Sequence, residues 1–439
     1  MTTTTLARPA RHGFQARRAS PSAHLTSAWS GALLLAVALG GCAPPAGDAP
    51  QATTEAPPTV RLGVEVLLTD SLHLVKGKRV GLITNNTGMD RSGKSTIDIL
   101  HEQADVQLVA LFGPEHGIRG EALAGETVDN SVDAKTGVPV YSLFGSTFEF
   151  KPEMLENVDI LVYDIMDVSV RYYTYPSTMA YGIKAAAEKG IPFLVLDRPD
   201  PIRGDVVQGN VLDPAFSSFV GLYPVPMRHG LTMGELARLI AGEFVAGADV
   251  RVVPAEGWRR DMTFDQTGLP WVKPSPNLPT LEAALAYAGT CLFEGTPLSV
   301  GRGTEFAFEW VGAPWLDGVE LSAALNAYAI PGVRFEPATF TPGPNADKKF
   351  EGVEVHGVRF VLEATDYDAP RAGIAALVEI YKRSKDQWSW SAEHFDHLAG
   401  TDRIRLDVEA GKTMQEITAG WDQAIAEFGQ KRAPYLIYR

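Results

Sequence analysis

From residue 79 onward, short aliphatic and β-branched runs alternate with stretches in which apolar positions recur every three or four residues. The runs at 79–84, 106–112, 159–163 and 193–196 predict strands, and the stretches at 95–104 and 178–189 predict helices between them. Thr232-Met-Gly-Glu235 has the spacing of a capping box, which opens a further helix over 233–245. Strand and helix in strict alternation predict an α/β fold with a doubly wound parallel sheet. Around Trp271-Val-Lys-Pro-Ser-Pro-Asn-Leu-Pro279 the proline density breaks any regular element, and a domain boundary is expected there. Beyond it the pattern is less orderly, with helices predicted at 281–288, 371–385 and 414–428.

The first sixty residues follow a different rule. Arg8, Arg11, Arg17 and Arg18 precede an apolar run from Trp29 to Leu39 that is too short to span a bilayer, the pattern of an export signal. The run ends in Leu39-Gly40-Gly41-Cys42, which resembles the bacterial lipobox; the resemblance implies removal of residues 1–41 and lipidation of Cys42. Ala43 after the cysteine resembles lipoproteins sorted to the outer membrane. The Pro- and Ala-rich stretch that follows reads as a tether over 42–60, on the order of 50 Å when extended as polyproline II. The expected location is therefore exported and lipid-anchored, at the outer membrane facing the periplasm.

Composition narrows the chemistry. The 439 residues carry a formal net charge of −14 with no basic block outside the N-terminus, which leaves no footprint for gripping nucleic acid. Only Cys42 and Cys291 are present, so neither a disulfide framework nor a cysteine zinc site is expected.

In an open parallel sheet, ligands bind beyond the carboxyl ends of the strands. There the four predicted strands deliver Asn85-Asn86-Thr87, Gly113-Pro-Glu-His-Gly117, Asp164 with Asp167, and Asp197-Arg198-Pro199. Each has a structural alternative: Asp164 and Asp197 as turn caps, Asn85 as an Asx-turn, Arg198 held by a local acid. Glu115 and His116, in a tight loop between two glycines, are the hardest to pack away and the strongest functional candidates. A competing motif is Gly88-Met-Asp-Arg-Ser-Gly93-Lys94-Ser95, which matches a P-loop and has a Walker-B-like partner in Ile160-Leu-Val-Tyr-Asp164. Three polar residues separate it from the first strand, and an exported protein meets essentially no ATP. No Gly-x-Gly-x-x-Gly follows that strand, so a dinucleotide cofactor has no support.

Several longer motifs resemble one family. Val80-Gly-Leu-Ile-Thr-Asn-Asn-Thr-Gly88, Phe112-Gly-Pro-Glu-His-Gly-Ile-Arg-Gly120, Arg171-Tyr-Tyr-Thr-Tyr175, Leu196-Asp-Arg-Pro-Asp-Pro-Ile202, His229-Gly-Leu-Thr232, Pro274-Ser-Pro-Asn-Leu-Pro279 and Cys291-Leu-Phe-Glu-Gly-Thr296 with Gly301-Arg-Gly-Thr304 are similar to the bacterial exo-β-N-acetylmuramidases of the NamZ type. Met166 and Asp200 depart from the family pattern, where Gln and Asn are expected. The resemblance, from about residue 62 to the C-terminus, implies a Rossmann-like catalytic domain (61–272), a smaller α+β C-terminal domain (273–439) and a cleft between them. It further implies cofactor-free release of terminal β-1,4-linked N-acetylmuramic acid from peptidoglycan fragments, with Glu115 as the catalytic carboxylate.

Glycoside hydrolysis needs a proton donor and usually a second carboxylate, unless the 2-acetamido group of the sugar is the nucleophile. Glu115 is the expected donor or base, with His116 beside it. Asp164, Asp167, Glu294 and Glu305 are the alternatives for the second acid; Asp164 and Glu294 are grouped with the catalytic residues and Asp167 and Glu305 with substrate binding. Asn85, Tyr172 and His229 are further expected contacts, and Arg171, Arg198 or Arg302 could hold the lactyl carboxylate of muramic acid bidentately. No metal is expected. The loops bearing residues 115, 164, 198 and 302 are expected to meet in one pocket. A non-catalytic muropeptide-binding lipoprotein and a P-loop nucleotide hydrolase are the competing functions.

Overall fold

The computed structural model describes residues 60–119, 126, 129–145, 147–344 and 349–439. Cys42, the signal and nearly all of the tether lie outside them. Twelve strands are found among the described residues: β1 (Arg79–Thr84), β2 (Gln107–Gly113), β3 (Ser131–Val132), β4 (Pro139–Ser142), β5 (Ile160–Asp164), β6 (Phe193–Leu196), β7 (Gln208–Val211), β8 (Pro226–Arg228), β9 (Val250–Val253), β10 (Trp310–Ala313), β11 (Val333–Phe340) and β12 (Val355–Leu362). Seven form the central sheet in the order β3-β4-β2-β1-β5-β6-β9. All neighbours in it run parallel except β3 against β4. The chain winds outward from β1 in both directions, so the topological switch point lies between β1 and β5, where Thr84 pairs with Asp164.

Strand periodicity explains why these runs are apolar throughout. In β5, Leu161 and Tyr163 enter one core while Ile160 and Val162 enter the other; Phe193 and Val195 of β6 separate from Leu194 and Leu196 in the same way. Helices cover both faces. The Tyr175–Lys189 helix starts earlier than its apolar spacing suggests because Pro176 fits its first turn. Met233–Glu243 is opened by the expected Thr232–Glu235 capping box.

The C-terminal part is α+β. Its antiparallel sheet, in the order β10-β12-β11, is accompanied by helices Leu281–Thr290, Gly318–Asn326 and Ala369–Arg383. The helix expected at 414–428 is instead Met414–Ile417 and Trp421–Arg432, separated at Gly420, whose φ of 86° ends the regular run. One apolar core runs from the face of the parallel sheet bearing Phe112 and Tyr163 into the C-terminal helices as far as Phe428. The proline-rich strap near 274 is fixed over the parallel sheet by Tyr175, whose hydroxyl donates to the Pro274 carbonyl at 2.6 Å.

Candidate active site

A cavity of about 410 Å³ opens between the parallel-sheet part and the C-terminal part. One wall presents Glu115, His116, Phe144, Phe148, Thr174 and Phe219, and the facing wall presents Cys291, Glu294, Arg302, Phe308, Lys349 and His394. Tyr172 and Tyr173 also line it, with Tyr172 anchored through its hydroxyl to the Ala288 carbonyl.

Glu115 is delivered by the turn that leaves β2. Gly117 donates to the Pro114 carbonyl at 2.9 Å, and His116 is held at φ 72°, a left-handed conformation that a side chain adopts only under structural constraint. That turn lifts the half-buried Glu115 carboxylate to the first residues of the Tyr175–Lys189 helix, where the Thr174 hydroxyl donates to its Oε2 at 2.8 Å. Thr174 precedes the helix but makes no side-chain cap.

Glu294 comes from the short 3₁₀ turn Cys291–Gly295 on the other wall. Arg302 Nε donates to its Oε1 at 2.7 Å, and the Cys291 thiol donates to its Oε2 at 3.6 Å. Burial pushes the Glu294 carboxyl up, but the adjoining Arg302 guanidinium, helped by Lys349, outweighs it and holds the group below the usual glutamate range. Burial, reinforced by the Glu294 charge, raises the Cys291 thiol well above its ordinary value and keeps it neutral. Burial also lowers His394, against the opposing pull of Glu294. Lys349 straps the turn by donating to the carbonyls of Glu294 at 3.0 Å and Thr296 at 2.9 Å. The cavity thus holds two carboxylates, Glu294 paired with Arg302 and Glu115 accepting from Thr174.

The expectation that loops 115, 164, 198 and 302 meet in one pocket holds only for 115 and 302. Asp164 is fully buried in an ion pair with Arg198 at 2.5 Å, accepts from Thr96, and lies outside the cavity. Arg198 also donates to the Met89 carbonyl at 2.8 Å. These side chains plug the switch-point crevice where the fold would otherwise seat a ligand, so the open space lies over β2 and the start of the Tyr175–Lys189 helix. Asn85 forms the Asx-turn, accepting from the Thr87 amide at 2.9 Å. Asp167 accepts from the Ser169 amide at 2.7 Å; burial, with Asp200 nearby, pushes its carboxyl up to about 8. His229 is sealed, with Nδ1 accepting from the Leu231 amide and burial pushing it down to about 3. Arg171 points away from the cavity and donates to the carbonyls of Asn210, Val225, Leu398 and Ala399. Glu305 is exposed and does not line the cavity.

The P-loop reading fails on geometry. The Asp90 carboxylate accepts from the Ser92 amide at 2.8 Å and the Lys94 amide at 2.9 Å, occupying donors that a phosphate would need. Lys94 turns outward to Glu102 at 2.5 Å.

Comparison with known proteins shows the family. The family model described as exo-β-N-acetylmuramidase NamZ, N-terminal, matches residues 80–282, and its C-terminal counterpart matches 285–438. The chain belongs to the NamZ family. It is 47% identical over 383 residues to the peptidoglycan β-N-acetylmuramidase NamZ of Bacillus subtilis (strain 168), covering 87% of this chain and 92% of the relative. Crystal structures of two DUF1343 family proteins from Bacteroides fragilis NCTC 9343 are similar, with TM-scores of 0.80 and 0.70 at 35% and 34% identity. Each match covers 87% of this chain and 99% of the other.

Within this NamZ chain the sequence missed Thr174, the aromatic wall, Lys349 and His394. Thr174 had a signal, a hydroxyl inside the Arg171–Tyr175 motif just before a helix. Lys349 and His394 had none, because only the tertiary fold brings them to the cavity.

Proposed function

We propose that this NamZ protein is an exo-acting glycoside hydrolase that releases terminal β-1,4-linked N-acetylmuramic acid from peptidoglycan fragments. The observation that carries the reading is the 47% identity over 383 residues to a peptidoglycan β-N-acetylmuramidase, and the cavity supports it with two carboxylates facing one space from opposite walls. Glu115 acts at the glycosidic oxygen as proton donor, and the ionised Glu294 serves the opposite need, activating water or steadying positive charge at the anomeric carbon. Arg302 keeps Glu294 charged and adds a positive site for an acidic sugar. The test is Glu115→Gln on a chromogenic N-acetylmuramide. Turnover should fall by roughly 10²-fold or more, whereas near-normal turnover would remove Glu115 from the chemistry. Binding of a muramyl disaccharide by the wild-type protein without product release would favour the non-catalytic lipoprotein.

The location belongs to the same proposal. The basic start, the apolar run and Leu39-Gly40-Gly41-Cys42 support export, lipidation at Cys42 and attachment to the outer membrane on its periplasmic side. Metabolic labelling with a fatty-acid analogue should mark the wild-type protein and not Cys42→Ser; no label on the wild type would defeat the anchor.

A further inference from the structure

The two walls of the cavity differ in chemistry. Among the described lining residues, every lysine and arginine comes from the C-terminal wall, as Arg302 and Lys349. The sheet-side wall instead offers rings. Phe148 and Phe219 lie with centroids 4.3 Å apart, and Phe144 sits 5.5 Å from Phe148 and 5.9 Å from Phe219. Tyr181, on the Tyr175–Lys189 helix, backs Phe219 in a stacked arrangement at 6.2 Å.

These rings are built in place. The Ser142 hydroxyl donates to the Phe144 carbonyl at 3.0 Å, immediately after β4, and Leu143 donates to the Gly113 carbonyl at 2.8 Å, tying Phe144 to the strand that delivers Glu115. Phe219 lies in a tight turn closed by reciprocal Ser218 and Gly221 backbone bonds. Yet Phe148 remains 37% exposed, and Phe144 and Phe219 are only partly buried. Rings clustered against one another and only partly buried beside a cavity are available to an apolar face of a ligand.

We propose that Phe144, Phe148 and Phe219 form the subsite for the leaving-side sugar, the N-acetylglucosamine joined through the bond to be cut. This inference rests on the muramidase reading above. The muramyl unit bears a carboxylate and belongs against the cationic wall; the neutral N-acetylglucosamine unit has a flat face of C–H bonds that suits aromatic rings. Glu115 shares the wall of these rings and reaches the oxygen between the two sugars. The cleft therefore reads its substrate with a polarity: the acidic sugar toward Arg302, the leaving sugar toward Phe219.

The experiment compares two substrates that share the muramyl unit, MurNAc-β-1,4-GlcNAc and N-acetylmuramyl β-fluoride, which has no leaving-side ring. Phe148→Ala and Phe219→Ala are each measured, with thermal unfolding as a check on folding. In each variant the ratio of kcat/KM for disaccharide over fluoride should drop about tenfold, the size expected for one good stacking contact. A ratio that stays within about twofold of wild type in both variants would overturn the subsite. Failure of the wild-type protein itself to cleave either compound would instead overturn the muramidase reading, and the subsite with it.

Discussion

Glu115 depends on a neighbour that gives up its usual task. A threonine just before a helix normally accepts from an amide of the first turn, a cap worth about 1 kcal/mol. Thr174 makes no such bond and donates to Glu115 instead. Thr174→Val should lower kcat about tenfold, with KM changed far less, because one hydrogen bond that orients the carboxylate is lost. Thr174→Ser should restore the rate; a loss of stability with no kcat effect would show a purely structural threonine. Steady-state kinetics on a muramyl disaccharide separates the outcomes. Glu115 was legible in the sequence because Pro-Glu-His between two glycines leaves a charged side chain nowhere to hide. Thr174 was less so: it falls inside the Arg171–Tyr175 motif, but a hydroxyl ahead of a helix reads as a cap. Asn85, Asp164 and Arg198 misled for the opposite reason: polar residues at strand ends can fill a crevice as readily as line one.

Among the elements, the strands were the most legible, since burial on both sheet faces makes each an unbroken apolar run. Helix ends were less so, because caps and first-turn prolines shift them, and 414–428 concealed a break at Gly420. What no local pattern showed is how the elements are clamped. Arg171 joins the β7 and β8 region to the Ala392–Ala399 helix by donating to four carbonyls on three segments. Burial pushes its guanidinium down to about 10, and it stays charged at neutral pH. Gly400 lets the helix end close against it: at φ 69°, a Cβ there would meet Arg171 Nη2 at 2.8 Å. Arg171→Met keeps much of the bulk and removes the donors. Urea unfolding should show a loss of more than about 3 kcal/mol from the stranded carbonyls, and a loss below about 1 kcal/mol would show that the clamp contributes little.

At the scale of the molecule, the chain returns to where its fold begins. The last residues come back to the parallel sheet: the Tyr438 hydroxyl donates to Asp197 at 2.7 Å, the Ile437 amide donates to Glu235 at 2.9 Å, and the Arg439 carbonyl accepts from Arg260 at 3.2 Å. Asp197 and Glu235 are both fully buried. Deleting residues 437–439 should lower stability on the order of 2 kcal/mol or more, read as a drop in the urea midpoint, because bonds to buried carboxylates are lost. An unchanged midpoint would show that water replaces them. The doubly wound sheet was foreseeable from alternation alone; this return was not, because its donors are backbone amides and one tyrosine with no pattern around them.

Those bonds have a consequence for the order of folding. The acids at positions 197 and 235 are met by partners 241 and 202 positions further along the chain. Bonds of such long range are entropically costly to close before the elements between them have packed, so they should form late and seal a sheet already assembled.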